Sequence, residues 1–189
     1  MHCPYCQVWI AQESASCPSC GLNVARADAL LGPPPPLSGG IVDLAALVSS
    51  WQMRGIRRKV DAFQRQFPQV MVHVCVGEFP TDQPFELYAF WLFNRGAIGS
   101  SAPVGAENFD MLLVIDPQSK RAATMLGYGW ENLLQRDQLE AVWSRMEPYV
   151  MQGKWQRGFL VWLDFHRQLF VDCWNRLQTP AEPAEPSPY

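Results

Sequence analysis

Residues 109–131, FDMLLVIDPQSKRAATMLGYGWE, constrain the fold more than any other stretch of this chain. Met111 to Ile115 is apolar at every position, which predicts a strand buried on both faces. Asp116-Pro117-Gln118-Ser119 predicts a tight turn, with proline at the position that wants φ near about −65°. Arg121 to Leu126 then returns as a second strand and enters Gly127-Tyr128-Gly129, where two glycines accept backbone angles that other residues resist. A buried hairpin that runs through a glycine turn into a helix is a place where a site can form.

The remaining composition supports one ordinary domain with a small accessory unit. The chain has 189 residues, 48% of them hydrophobic and 17% charged, with 8 Trp and 10 Phe to fill a sizeable core. A net charge of −3 argues against broad electrostatic attraction to nucleic acid. No apolar run reaches the ~18–20 residues of a membrane-spanning helix. Cys3 and Cys6 fall where the basic and apolar regions of a signal peptide would be, so the expected location is the cytoplasm, with reduced cysteines.

Those cysteines form the first motif. Cys3-Pro-Tyr-Cys6 and Cys17-Pro-Ser-Cys20-Gly21 are two C-x2-C pairs with ten residues between them. This is the spacing of a four-thiolate zinc site, in which each turn aims two sulfurs at one tetrahedral ion. Two disulfides or four unrelated thiols are the alternatives, and a reducing location favours zinc. Apparent zinc-binding energies of ~10–16 kcal/mol would make metal binding and local folding one event. The CPxC…CPxCG pattern resembles the zinc-ribbon family across residues 1–24. Residues 1–30 carry a single cation, Arg26, against Glu13 and Asp28, which is too little charge for phosphate contacts and points to a structural or protein-binding ribbon. His2 could replace a thiolate, but four sulfurs already fill such a site.

Further along, Gly32 to Gly40 reads as a proline-stiffened, glycine-ended linker. The expected organisation is a zinc ribbon over 1–30, a linker over 31–40, an α/β domain over 41–177 and a disordered proline-rich tail over 178–189. In the α/β domain the pattern turns helical from Asp43. Met53, Ile56, Val60, Phe63 and Phe67 recur at steps of three and four up to the helix-stopping Pro68, while Arg54, Arg57, Arg58, Lys59 and Arg65 lie mostly on the opposite face. That basic face reads as solvated, with an acidic partner or lipid headgroups as the alternative.

QVMVHVCVG, residues 69–77, predicts a mid-sheet strand with His73 and Cys75 packed on one face. An aromatic helix over 85–95 and a long loop over 96–107 then lead to the central hairpin. Strand, helix and strand predict a crossover with two parallel strands. Helices over about 136–151, which Pro148 should kink or end, and 154–177 complete the pattern. The second carries Trp155, Phe159, Trp162, Phe165, Leu169 and Cys173 on one side, with His166 beside them as a packed histidine.

Val42-Asp43-Leu44, Met111 to Val114, Gly127-Tyr128-Gly129-Trp130-Glu131, Asp137 and Gly153-Lys154-Trp155 together resemble the TPM domain, over about residues 41–170. The resemblance implies an α/β sandwich with a small mixed sheet between helices. Some members of that family bind divalent cations, and acid phosphatase activity has been ascribed to some. Others act as accessory factors for membrane complexes. Three stretches depart from the family pattern: Asn108-Phe109-Asp110, the loop Arg95-Gly96-Ala97-Ile98-Gly99, and Lys154 where an acidic residue is common.

Hairpin geometry places Asn108 and Asp110, before the first strand, beside Gly127, Gly129 and Glu131, after the second. Asn108, Asp110 and Glu131 offer the oxygen ligands that Ca2+ or Mg2+ takes. A weaker acidic cluster is expected at the opposite end, from Asp43, Glu78, Asp82 and Asp116, and acids that cap helices and loops are the plain reading of both. The functional expectation is an interaction or assembly module with a protein partner and no nucleic acid. The alternative is a divalent-metal-dependent acid phosphatase.

Overall fold

Three parallel strands and one antiparallel strand form the centre of the molecule. The structure, a computed structural model, describes residues 2–11, 14–35, 37, 40–96, 109–130, 133–134 and 136–178. The strands are β1 (Ile41–Asp43), β2 (Val72–Val76), β3 (Met111–Asp116) and β4 (Arg121–Leu126), in spatial order β1-β2-β3-β4. β1, β2 and β3 run parallel, and β4 returns antiparallel through the predicted turn. The expected crossover between two parallel strands is therefore present. The helices are α1 (Val24–Leu31), α2 (Ser50–Gln66), α3 (Phe85–Arg95), α4 (Arg136–Met151) and α5 (Trp155–Gln178).

The period-two pattern divides the core between the two faces of the sheet. Val72, Val74, Val76, Met111, Leu113 and Ile115 face α2, α4 and α5. Cys75, Leu112 and Val114 face α3 and the N-terminal ribbon. Every residue of β3 is buried, as its unbroken apolar run requires. Full burial is worth roughly 1.5–3 kcal/mol for each large apolar side chain, so this strand alone supplies a large share of the driving force. The fold is an α/β sandwich with a small mixed sheet between helices.

Several local features depart from the sequence reading. Ile41–Asp43 is a strand rather than a helix entry, and α2 begins at Ser50 behind a capping box between Ser49 and Gln52. Asp43 ends β1 and accepts the N–H groups of Leu47 and Val48 at 3.0 and 2.7 Å, so its carboxylate organises the turn into α2. Pro148 lies inside α4, which continues to Met151. Helix α1 had no counterpart in the sequence reading. Asn23 caps it by accepting the N–H of Arg26, and Gly32 ends it at φ 80°, a left-handed angle that suits glycine.

Between α1 and β1, Leu37 is buried, and its N–H donates to the Gly96 carbonyl at 3.2 Å. The stretch read as a linker is thus pinned against the end of α3. The expected tail from Thr179 onward and the expected loop from Ala97 to Glu107 lie outside the described residues.

Candidate metal centre

Each C-x2-C turn is built the same way. The N–H of Cys3 donates to the Val8 carbonyl and that of Gln7 to the Cys3 carbonyl, while Cys17, Leu22 and Gly21 repeat the two bonds at the second turn. The residue after each second cysteine takes a left-handed backbone: Gly21 at φ 69° and, less comfortably for a side chain, Gln7 at φ 60°. An antiparallel bridge from His2 to Trp9 closes the first turn. His2 points its ring nitrogen Nδ1 at the Gln7 carbonyl, 2.9 Å away, so it serves the turn.

This repeat brings the ligating atoms of Cys3, Cys6, Cys17 and Cys20 within 4.8 Å of one another. Cys3 Sγ lies 3.7 Å from Cys20 Sγ, and Cys6 Sγ lies 3.6 Å from Cys17 Sγ. A disulfide would bring the sulfurs to ~2.05 Å. The observed separations instead match the ~3.8 Å edge of a tetrahedron whose centre lies ~2.3 Å from each sulfur, the zinc–thiolate distance. Among the described residues, this is the only group of three or more His, Cys, Asp or Glu side chains close enough to hold a metal ion. Backbone N–H groups of Tyr5 and Cys6 point at Cys3 Sγ at 3.4 and 3.5 Å, a placement that suits a thiolate. Around Cys17 the Cys20 N–H does the same and draws that thiol down to about 6, whereas burial pushes Cys20 up to about 12.

The ribbon is fastened to the sheet domain. Trp91 Nε1 donates to Asp28 Oδ1 at 3.1 Å, and Arg95 Nη2 lies 3.0 Å from Asp28 Oδ2, so one α1 carboxylate ties down two α3 side chains. Cys3, Ile10, Cys17 and Leu22 share an apolar cluster with Leu87, Trp91 and Leu112. Sequence reading did not single out Asp28. Its only signal was an acid on a short amphipathic turn, and its partners lie more than sixty positions away.

Of the second predicted site, only Asp110 lies among the described residues. Gly127 donates its N–H to the Asp110 carbonyl at 2.8 Å, which puts Asp110 beside the glycine turn as expected. Its side chain is buried, and burial pushes the carboxyl above its ordinary range against the pull of the Met71 N–H. Asn108 and Glu131 lie outside the described residues. Gly129 has a packing role: a Cβ there would stand 2.7 Å from the Phe109 ring. Next to it, Trp130 stacks on Phe170 at 3.6 Å and donates Nε1 to the Phe109 carbonyl.

At the opposite end, Asp116 is fully buried. It accepts Arg121 Nη2 at 2.8 Å, the Ser119 N–H at 3.0 Å and the Phe79 N–H at 3.2 Å. Burial raises its carboxyl, but these donors outweigh burial and hold it below the ordinary range. Asp82 sits 3.5 Å from the Tyr88 hydroxyl. Asp43, Asp82 and Asp116 therefore serve turns, a hydroxyl and an ion pair.

The chain is thus an α/β protein in which a four-cysteine cluster that could hold a metal ion, and that fits a small zinc ribbon, is fixed to a helix-flanked mixed sheet. A model of the TPM domain matches residues 41–164, more than half of the sequence, and the chain belongs to the TPM domain family. Its fold resembles the N-terminal domain of a protein from P. gingivalis, with a TM-score of 0.57 and 21% identity over 70% of this chain and 82% of that one. BA42 from the psychrophilic bacterium Bizionia argentinensis gives a TM-score of 0.58 at 10% identity, over 69% of this chain and 86% of that one. The N-terminal domain of cg2496 from Corynebacterium glutamicum gives 0.52 at 14%, over 72% and 83%. None of the curated proteins matches the chain. Among the described residues, no helix is long and apolar enough to cross a membrane.

Proposed function

We propose that this protein is an interaction and assembly module whose ribbon, held by a structural zinc ion on Cys3, Cys6, Cys17 and Cys20, forms part of a protein-binding surface. The observation that carries the reading is the attachment of the ribbon to α3 through Asp28, which presents the ribbon in a fixed orientation. Four thiolates with no open position suit a structural ion better than a catalytic one. On that fixed unit Val8 and Trp9 are exposed, and exposed aromatics are typical anchors of protein interfaces.

Charge supports a protein partner over nucleic acid. Arg26 donates to the Cys20 carbonyl and lies over the Tyr5 ring, so the single cation of residues 1–30 is engaged within the ribbon. The sheet domain then acts as the scaffold behind it. Metal analysis together with a cross-linked, tagged pull-down tests the reading. Zinc at one per chain, and a stable partner lost in Cys17→Ser, are expected. Zinc-free native protein or the absence of any stable partner overturns it.

The alternative is a divalent-metal-dependent acid phosphatase with Asp110, Asn108 and Glu131 around Ca2+ or Mg2+, which would activate a water for attack on phosphorus. Of these three, Asp110 lies among the described residues, where its backbone meets the glycine turn and burial disfavours the charged form of its carboxyl.

A further inference from the structure

Among the described strands, β4 lies at one edge of the sheet, and its register shows where its backbone groups point. Gly127 N–H bonds to the Asp110 carbonyl, and the ladder pairs Met111 with Leu126 and Asp116 with Arg121. Bonded and non-bonded pairs alternate along an antiparallel ladder, so Arg121, Ala123 and Met125 are the residues bonded to β3. Ala122, Thr124 and Leu126 therefore turn their N–H and C=O groups outward. They face a cavity of about 770 Å3, within the ~300–1,000 Å3 range of ligand clefts. One wall is α4, with Trp143 and Met146, and the other is formed by Trp9 of the ribbon and Glu86 of α3.

A second observation comes from α5. His166 is completely buried and lines the same cavity. Its Nδ1 lies 2.8 Å from the Trp162 carbonyl, which can only accept, so Nδ1 carries the proton and Nε2 is an acceptor. Among the described residues, Nε2 has no hydrogen-bond partner. Nε2 itself is shielded from the cavity, so the hydrogen-bonding groups open to a ligand are those of the strand edge.

We propose that this groove binds an extended peptide segment of a partner protein, added at β4 as a fifth strand, with apolar side chains at alternate positions and a basic residue opposite Glu86. Backbone pairing to Ala122, Thr124 and Leu126 supplies the affinity common to strand addition, and the two walls supply side-chain selection. Five residues of strand cover ~17 Å, so the recognition segment is short. Glu86 is the one carboxylate among the described lining residues, which sets the sign of the charge it selects. A second copy of this chain, pairing through its own β4, is the competing occupant.

The inference rests on the interaction reading and names the partner chemistry at one surface. A displayed library of random dodecapeptides, selected on the zinc-loaded full chain, tests it. Enriched peptides should alternate apolar residues and carry a Lys or Arg. N-methylation of one alternate set of their amides should weaken binding by about tenfold or more, while methylation of the other set leaves it intact. Trp143→Ala, at an exposed wall position, should weaken binding similarly with its thermal midpoint kept, and Trp51→Ala, exposed away from the groove, should not. No enrichment, indifference to both methylation sets, or full binding by Trp143→Ala overturns the groove. So does a concentration-dependent dimer with β4 amides protected from exchange. A cross-linked partner recovered alongside any of these results leaves the interaction module standing without the groove.

Discussion

Asp28 on α1 and Trp91 on α3 are joined by a 3.1 Å hydrogen bond that links the ribbon to the sheet domain. Trp91 is almost fully buried, so Asp28→Ala leaves its indole N–H without an acceptor. The expected cost is about 1–3 kcal/mol. Arg95, half exposed, contributes less, and Arg95→Ala should cost under ~1 kcal/mol. Urea unfolding of both variants checks the order; equal losses would mean that the indole bond is not the dominant tie.

Removing the metal should unsettle more than the ribbon. Cys3 and Cys17 pack in the same cluster as Leu87, Leu92 and Leu112. Chelation, or Cys20→Ser, is therefore expected to lower the thermal midpoint of the whole chain and to speed amide exchange in α3. An unchanged midpoint, with exchange limited to residues 2–22, would show that the two parts fold independently.

Acid should destabilise the protein well above the carboxylate range. Burial lowers both His73 and His166 to about 4. Unfolded, each titrates near about 6.5, so between these values the unfolded chain binds more protons and stability falls as pH drops. Each contributes on the order of 3 kcal/mol, present in full above about pH 6.5 and lost by about pH 4. Denaturant midpoints at pH 7.5, 6, 5 and 4 read the slope. It should flatten in His166→Leu, and an unaltered slope would assign the acid sensitivity to other groups.

Asp116, at the turn end of the hairpin, adds an acid sensitivity of the same sign in a lower pH range. Its carboxyl is held low, so its stabilisation is present above the ordinary carboxylate value and is lost as pH falls through the depressed one. Asp116→Ala strands the Arg121 guanidinium and two backbone N–H groups, at an expected cost of about 3 kcal/mol or more. A cost below ~1 kcal/mol by chemical denaturation would contradict this.

Ca2+ and Mg2+ discriminate between the two functional readings. On the interaction reading, millimolar Mg2+ or Ca2+ is expected to leave the thermal midpoint unchanged. Phosphate-ester hydrolysis at low pH, lost in Asp110→Ala, would instead support the phosphatase.

Much of this molecule could be read from local pattern. The hairpin from Met111 to Leu126, the aromatic helix α3 and the C-x2-C knuckles each announce themselves within twenty residues. What escaped was short or non-local. Ile41–Asp43 is too brief to show an alternation, and α1 at 8 residues covers little more than two turns. The pairing of Asp28 with Arg95 and the groove beside β4 depend on elements distant in sequence. For the proposed oxygen site, sequence correctly set Asp110 beside Gly127, but burial, which alters what a carboxyl can do, is a property of the folded surroundings.

The packing of Cys3 and Cys17 against the far face of the sheet has a consequence for when the protein is competent. On the proposed reading, the smaller of the two apolar clusters is completed by a segment that needs an ion to hold its shape, so the supply of that ion would set how much finished protein exists. The ribbon would then be a checkpoint: a chain without its metal would present an unfinished α3 face, and a partner that requires the finished surface would pass it over.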